Sequence, residues 1–339
     1  MPRISVLCSS FNHEHFVGRF IKSLIDQTFS DWELIIIDDC STDKNIEEIK
    51  KFNDERIHFY NNEFNTGAGL VLNRAFSYSK GEYIIEIASD DALLPDYFQK
   101  VIEIFDTHTD VNVIYSPLQV IDENDNKKEI MTQPCADRIS ILKRLFYEWN
   151  CLNSPGYAVR RSAYQTLLPM NFAIIQHQDY QWHIKLLLGG NCYILDKPYV
   201  CYRIQSNSKS LGTLNLGGIN RNKLEIDVLM DTFLKISDTK FACSIIDDQE
   251  HINYPSELIP FLLANAAFKC ESLEKRQWGY KTLIKFFENE NNLNILRQYQ
   301  NFQFKDLLNI SNKNFYKPIT FWGRVKRKLN KIIKKGENN

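Results

Sequence analysis

Asp90 and Asp91 are adjacent carboxylates that follow Ser89 at the end of a largely apolar run at 81–88. Carboxylates placed just past a buried strand cost desolvation energy unless something compensates them. Oxygen ligands suit a hard divalent cation, Mg2+ or Mn2+, and the usual passenger on such a cation is a diphosphate. The plainer alternative is a capping pair ahead of Leu93-Leu94-Pro95. Three further polar clusters stand in the same relation to apolar runs. Ser9-Ser10-Phe11-Asn12 follows the run at 4–8, Asp38-Asp39 follows 34–37, and Asn65-Thr66-Gly67 follows 57–60. Taken singly, each cluster reads as a turn. Repetition at four successive strand ends points instead to one crevice that all of them line.

The elements that must position these residues alternate. Val17, Phe20, Ile21, Leu24 and Ile25 recur at helical spacing, and further helices are expected near 46–52, 70–79 and 98–105, between strands at 34–37, 57–60, 81–88 and 111–115. Strands that are apolar throughout suit a parallel sheet covered on both faces. The expected class is therefore α/β, with a Rossmann-like, mainly parallel central sheet and helices on both faces. Beyond about residue 215 the alternation stops, and apolar faces at 224–230, 258–267 and 278–287 predict helices. The Ser/Asn/Gly-rich stretch at 206–220 marks the boundary, giving a first domain at 1–215, a helical appendage at 216–315 and a tail at 316–339. In the tail, Lys and Arg residues from Lys317 to Lys335 interleave with Trp322, Val325, Leu329, Ile332 and Ile333. A basic amphipathic helix of this kind suits an anionic membrane surface; the alternative is a solvated helix packed on the appendage.

Composition narrows the classes. A formal net charge of −1 with 44% hydrophobic residues argues for an ordinary globular protein and against one that coats nucleic acid. The 8 cysteines include no C-x-x-C pair, which removes the spacing support for a zinc site or a redox dithiol. The chain opens directly on a strand with no apolar leader, and no apolar run is long enough to span a bilayer, so the expected location is cytoplasmic, at most peripheral on the inner face of the cell membrane. No G-x-G-x-x-G follows the first strand, as a dehydrogenase would require.

The quoted clusters resemble a family 2 inverting glycosyltransferase, a nucleotide-sugar enzyme of the GT-A fold. The resemblance lies in Pro2-Arg3-Ile4-Ser5-Val6 with Phe11-Asn12, in the block from Gln27 through Trp32 to Ser41, and in Asn65-Thr66-Gly67, Asn73, Lys80-Gly81-Glu82-Tyr83-Ile84 and Ala88-Ser89-Asp90-Asp91 with Leu94-Pro95-Asp96. It is close to about residue 120 and patchy to about 205. Two departures stand out. Ala88 occupies the first acidic position of the family's Asp-x-Asp-Asp, as in the branch that builds spore-coat polysaccharide, and Gln205 stands where the segment usually has His.

The resemblance implies Asp91 as the direct metal ligand and Asp90 as a contact to ribose or metal-bound water, with Ser89 beside them. Asp39 would read the base, since a carboxylate accepts the ring N–H of uracil or thymine, while Asp38 caps the following helix. Ser10, Phe11, Asn12, Asn65, Gly67 and Asn73 would complete the nucleoside pocket, with Phe11 either packing on the base or joining the core. An inverting transfer needs one general base beside the acceptor hydroxyl. The family's block for it is matched by His177-Gln178-Asp179-Tyr180-Gln181-Trp182, which makes Asp179 the candidate, although it equally fits a helix cap. His177 and Trp182 would line the acceptor site, Asn153-Ser154-Pro155-Gly156 would form a second wall, and Arg160 and Arg161 would pair with structural carboxylates. The implied partners are a UDP- or dTDP-sugar and a glycan or lipid-linked glycan. The competing readings are a sugar-nucleotide pyrophosphorylase, which would want a Gly-rich basic first loop, and a non-catalytic nucleotide- or glycan-binding protein of the same fold.

Overall fold

The computed structural model describes residues 1–134, 136–171, 173–205 and 216–314, so the basic segment at 316–339 lies outside the described residues. The chain divides into two compact units, Met1–Lys235 and Ile236 onward.

The first unit is built on a seven-stranded sheet of order β10-β6-β9-β4-β1-β2-β3. Its strands are β1 (Ile4–Ser10), β2 (Trp32–Asp38), β3 (Ile57–Asn61), β4 (Tyr83–Glu86), β6 (Val111–Tyr115), β9 (Ala158–Arg160) and β10 (Asn191–Ile194). All pair in parallel except β9, which runs antiparallel between β4 and β6. The mainly parallel α/β sheet expected from the sequence is thus present, with one short reversed strand that the apolar pattern did not reveal. A second sheet, of order β5-β11-β7-β8, contains β5 (Ala92–Leu93), β7 (Leu118–Ile121), β8 (Lys127–Met131) and β11 (Val200–Arg203).

Side chains alternate across the sheet, which explains the unbroken apolar strands. Ile4, Val6, Leu34, Ile36 and Ile85 face a core shared with Val17, Phe20 and Leu24 of α1 (Val17–Ile25) and with Phe98, Val101 and Phe105 of α4 (Tyr97–Thr107). Leu7, Ile35 and Ile84 point the other way and are buried too, on the side where α3 (Ala68–Tyr78) packs against β1 and β2. A short α2 (Asn45–Ile49) joins β2 to β3. The register pairs Ile4 with Trp32 and Ser10 with Asp38, so the two strands end level. That brings the polar exits of β1 and β2 side by side.

After β8 come α5 (Arg138–Tyr147), α6 (Arg161–Gln165), α7 (Gln178–Gly189) and α8 (Leu216–Met230). The units divide later than the expected 215/216 boundary because α8 belongs to the first unit. The Glu225 carboxylate of α8 accepts the backbone N–H groups of Ile175, Gln176 and His177 at 2.8–3.0 Å. Phe233, just past α8, packs edge-on against Phe146 of α5.

The second unit is helical, with α9 (Thr239–Ile246), α10 (Ile259–Ala267), α11 (Leu273–Phe287), α12 (Glu290–Tyr299) and α13 (Phe304–Asn314). α10 and α11 approach closely at Gly279, where a Cβ would lie 2.8 Å from the Ala264 carbonyl oxygen. Among the described residues no helix is long and apolar enough to cross a membrane.

Candidate active site

A cavity of about 1000 Å³ opens at the carboxyl ends of the strands in the first unit, and residues from every predicted cluster border it. Phe11, Asp39, Asn65, Gly67, Asp90, Asp91, Asp179 and Trp182 all line the same space. Four separate polar strand exits and the start of α7 therefore meet at one place.

Asp39 organises one side. Its Oδ1 accepts from Asn62 Nδ2 at 2.7 Å and from both the N–H and the hydroxyl of Thr66 at 2.9 Å. Its Oδ2 takes Gly67 N–H at 2.7 Å and a longer shared bond from Thr66 at 3.1 Å. Asp39 thus fixes the 65–67 loop, and Oδ2 is the oxygen with acceptor capacity left. Gly67 has φ +80° and ψ 154°, a conformation open only to glycine, and no atom lies within 4 Å of where its Cβ would stand. Asp38 has no share in the cavity. It accepts from Ser41 N–H at 2.8 Å and Asn45 Nδ2 at 2.6 Å, tying the loop to the start of α2. Phe11 is 42% exposed, which settles it as a cavity side chain and not a core one.

The Asp90-Asp91 turn is clamped from β11. Asp91 is buried and its Oδ1 accepts Arg203 N–H at 2.9 Å. Burial first, and the neighbouring Asp90 charge second, push the Asp91 carboxyl well above the usual carboxylate range. Such a carboxylate wants a cation. Gln205 Nε2 donates to Asp90 Oδ2 at 3.0 Å, so glutamine at this position fastens the turn. On the other side, His13 Nδ1 lies 2.8 Å from Ser89 Oγ, whose own proton goes to Ser10 Oγ at 2.7 Å. Ser89 then accepts from Nδ1–H, and the ring turns its Nε2 toward Asp90 Oδ2, 3.7 Å away. Among the described residues no three His, Cys, Asp or Glu side chains enclose a metal by themselves. The donor set still fits Mg2+ or Mn2+, since Mg2+ typically takes only one or two carboxylates and completes its shell with phosphate oxygens and water.

Arg203 makes this clamp rigid. Its side chain is 1% exposed; Nε and Nη1 donate to the Asp90 and Asp122 carbonyls at 2.7 and 2.6 Å, Nη2 pairs with Asp125 at 2.7 Å, and the guanidinium lies over Phe16. Arg203→Met should cost about 3 kcal/mol in a urea melt, because it leaves the Asp90 carbonyl without this partner and removes the buried guanidinium's bonds to Asp122 and Asp125. An unchanged unfolding midpoint would contradict that assignment.

Asp179 sits in the first turn of α7, two residues beyond His177 at the capping position, so it is not the helix cap. Its Oδ2 accepts from Asn150 Nδ2 at 3.0 Å and Ser154 Oγ at 3.3 Å, and its Oδ1 accepts Tyr180 N–H at 2.8 Å. Behind Ser154 lies buried His183, with Nε2 3.0 Å from Ser154 Oγ and Nδ1 2.8 Å from the Tyr115 hydroxyl. Burial holds His183 down to about 4, so the ring is neutral near pH 7 and carries one proton. Since Ser154 donates to Asp179, it accepts from Nε2–H, and Nδ1 accepts from Tyr115. Every bond in the chain from Tyr115 to Asp179 points its hydrogen toward the carboxylate. Of the segment at 153–156 expected to form a second wall, Ser154 and Pro155 border the cavity.

Several predicted residues act elsewhere. Asn12 spends its side chain on Thr42 N–H at 2.8 Å, and Ser10 and Ser89 are fully buried supports beneath the cavity. Asn73 makes a reciprocal pair with the Met170 backbone and is absent from the lining. His177 stacks with Trp149 and meets Tyr180 edge-on, also off the lining. Arg160 and Arg161 bind backbone carbonyls of Val111, Phe105 and Gly81 where carboxylates were expected. Much of the block around Gln27 and Trp32 is likewise scaffolding: Gln27 joins α1 to the 94–98 segment, and buried Glu33 holds Ser5 and the Lys80 amide.

Glu86 borders the cavity and went unnoticed in the sequence, although a carboxylate inside Ile-Ile-Glu-Ile-Ala is itself a signal. Burial pushes it up to about 7, against hydrogen bonds from Tyr157 and Tyr164 that favour the charged form. Because the folded value lies above the unfolded 4.5, Glu86 supports the fold fully below pH 4.5, less as pH rises, and not at all above about 7. Glu86→Gln should therefore gain stability relative to wild type between about pH 5 and about pH 8, by at most about 3 kcal/mol in paired urea melts. A gap independent of pH would refute this.

Known proteins resemble this chain in sequence and in fold. Residues 5–168 match the model for glycosyl transferase family 2, a span that contains the β1, β2, β3 and β4 exits. An uncharacterized glycosyltransferase of Haemophilus influenzae is 31% identical over 221 residues, covering 62% of this chain and 68% of that protein. WfgD of Escherichia coli, named as a UDP-Glc:alpha-D-GlcNAc-diphosphoundecaprenol beta-1,3-glucosyltransferase, is 24% identical over 229 residues, covering 67% of this chain and 85% of the relative. In fold, the chain is similar to residues 1–349 of TarS from S. aureus solved in complex with UDP, with a TM-score of 0.59 at 16% identity over 88% of this chain and 92% of that one. The fold is accordingly GT-A-like, with a helical region after it, and the cavity at the strand ends is where the matched span converges. A glycosyltransferase relative of this identity and coverage, together with the matched domain, settles the assignment: the chain belongs to glycosyl transferase family 2.

Proposed function

We propose that the protein is a metal-dependent inverting transferase that moves a hexosyl group from a UDP- or dTDP-sugar to a hydroxyl of a glycan or lipid-linked glycan. The observation that carries this reading is that Asp39, the Asp90-Asp91 pair and Asp179 border one cavity of about 1000 Å³. That volume suits a nucleotide sugar together with part of an acceptor.

Asp39 Oδ2, the oxygen with spare capacity, accepts the ring N–H of uracil or thymine while Phe11 offers its exposed face to the base. Asp91 and Asp90, with His13 beside them, are the side chains that would hold Mg2+ or Mn2+, whose charge offsets that of the departing diphosphate. At the other end Asp179 takes the proton of the acceptor hydroxyl. The chain from Ser154 through His183 to Tyr115 keeps its oxygen in register without supplying a competing charge, and Trp182 gives the acceptor ring an apolar wall. The name of WfgD, with a UDP-sugar donor and an undecaprenol-linked acceptor, supports the same pairing here. Such an acceptor sits at a membrane; the basic residues from Lys317 to Lys335 suit docking there, and the role that follows is surface-polysaccharide assembly at the cytoplasmic face.

Incubating the purified protein with Mn2+ and a panel of nucleotide sugars tests the reading. Slow release of UDP or dTDP from at least one donor, abolished by chelator, is expected. Release of no nucleotide from any donor, or release indifferent to chelator, would count against it.

A further inference from the structure

Glu86 is the one charged residue of β4, and the elements around it hold its carboxyl group in a single pose. Oε2 accepts both the Tyr157 and Tyr164 hydroxyls at 3.0 Å. Oε1 receives no hydrogen bond from the described residues, yet it is not sealed in the core, because the side chain keeps part of its surface and borders the cavity. Past the end of the strand Ile87 and Ala88 also border the cavity, and they offer it only apolar groups. Between 86 and 88, Glu86 is therefore the one residue that presents a carboxyl to the cavity.

Its place between the two ends of the cavity gives it a use. The chain runs from Glu86 directly into the Asp90-Asp91 turn, and Glu86 lies near enough to Asp179 to feel its charge. An in-line displacement puts the transferred sugar between the diphosphate and the base. The sugar ring then lies within the cavity whose lining includes Glu86.

We propose that Glu86 is a sugar-recognition residue, whose Oε1 accepts a hydrogen bond from a hydroxyl of the transferred sugar. The inference rests on the transferase reading, with Asp91 at the diphosphate end and Asp179 at the base end. The two tyrosines hold the carboxyl before the sugar arrives, so the contact is made without ordering a flexible side chain. A site built to bond a hydroxyl also rejects a donor that lacks it, since the buried acceptor would be left unpaired.

Calorimetry in the presence of Mn2+ separates the possibilities, with UDP, UDP-glucose, UDP-galactose and UDP-N-acetylglucosamine as probes. Wild type should bind at least one UDP-sugar more tightly than UDP. Glu86→Leu should weaken that UDP-sugar by about tenfold or more while leaving UDP itself unchanged. Should Glu86→Leu fail to fold, Glu86→Gln keeps an acceptor for the tyrosines but turns an amide N–H toward the sugar, and about a threefold loss is expected. UDP-sugar affinities equal to wild type in the folded variants overturn the proposal, as does a wild type that binds UDP but prefers no UDP-sugar; in both cases the transferase reading stands. A wild type with no Mn2+-linked affinity for either UDP or dTDP would instead remove that reading, and this inference with it.

Discussion

Asp179→Asn should lower kcat for sugar transfer by about 10²- to 10⁴-fold while leaving the affinity for UDP unchanged. The side chain keeps its volume and an oxygen for Asn150 and Ser154, so the start of α7 stays in place. What disappears is the ability to accept the hydroxyl proton. One local bond suffers, because the new amide nitrogen faces Tyr180 N–H where a carboxylate oxygen accepted it. That loss is worth about 1 kcal/mol and is visible as a small shift in a urea melt, not as unfolding. A variant that binds UDP normally and transfers sugar at the wild-type rate would show that the proton goes elsewhere.

Asp91→Asn acts at the opposite end. It should weaken Mn2+-dependent UDP binding by at least about 10²-fold, since even residues that merely support a metal ligand are typically worth 10- to 100-fold in metal affinity. The asparagine oxygen can still accept Arg203 N–H, which protects the turn. Removing a buried carboxylate next to Asp90 also relieves repulsion, so the folded protein should not be less stable for the change. In chelator, wild type and variant should bind UDP equally weakly. Equal binding in Mn2+ as well would exclude Asp91 as the ligand.

The two substitutions have opposite signatures, and that contrast is informative. One removes chemistry and spares nucleotide binding; the other removes nucleotide binding at its metal-dependent step. A protein that merely binds nucleotides would respond to Asp91→Asn and have no rate for Asp179→Asn to change.

The sequence made the frame of this site legible where chemistry and periodicity coincide. Apolar strands at 4–8 and 34–37 had to be buried on both faces, and their polar exits had to lie at one edge of a parallel sheet. Asp39, Asp90, Asp91 and Gly67 were found that way. Reversed β9 was not, because three residues of Ala-Val-Arg carry no periodicity and their direction depends on β4 and β6. Asn73 and Asn12 looked functional because they are polar and fall in the right order, but Asn73 spends both side-chain atoms on the Met170 backbone and Asn12 turns its oxygen to Thr42. A sequence does not distinguish an amide that holds a loop from one that holds a ligand. His183 and Glu225 stayed hidden for the converse reason: each acts on residues distant in the chain, through contacts that only the fold creates. Glu86 could have been found, since an acid in a strand otherwise buried on both faces needs either a partner or a task.

The central claim is that nucleotide, cation and base share one cavity, and a crystal structure with UDP and Mn2+ tests it most directly. The account predicts uracil N–H on Asp39, the cation between Asp91 and the diphosphate, and Asp179 facing the open side of that same space. Uracil bound away from Asp39, or a cation that does not touch Asp91, would contradict it.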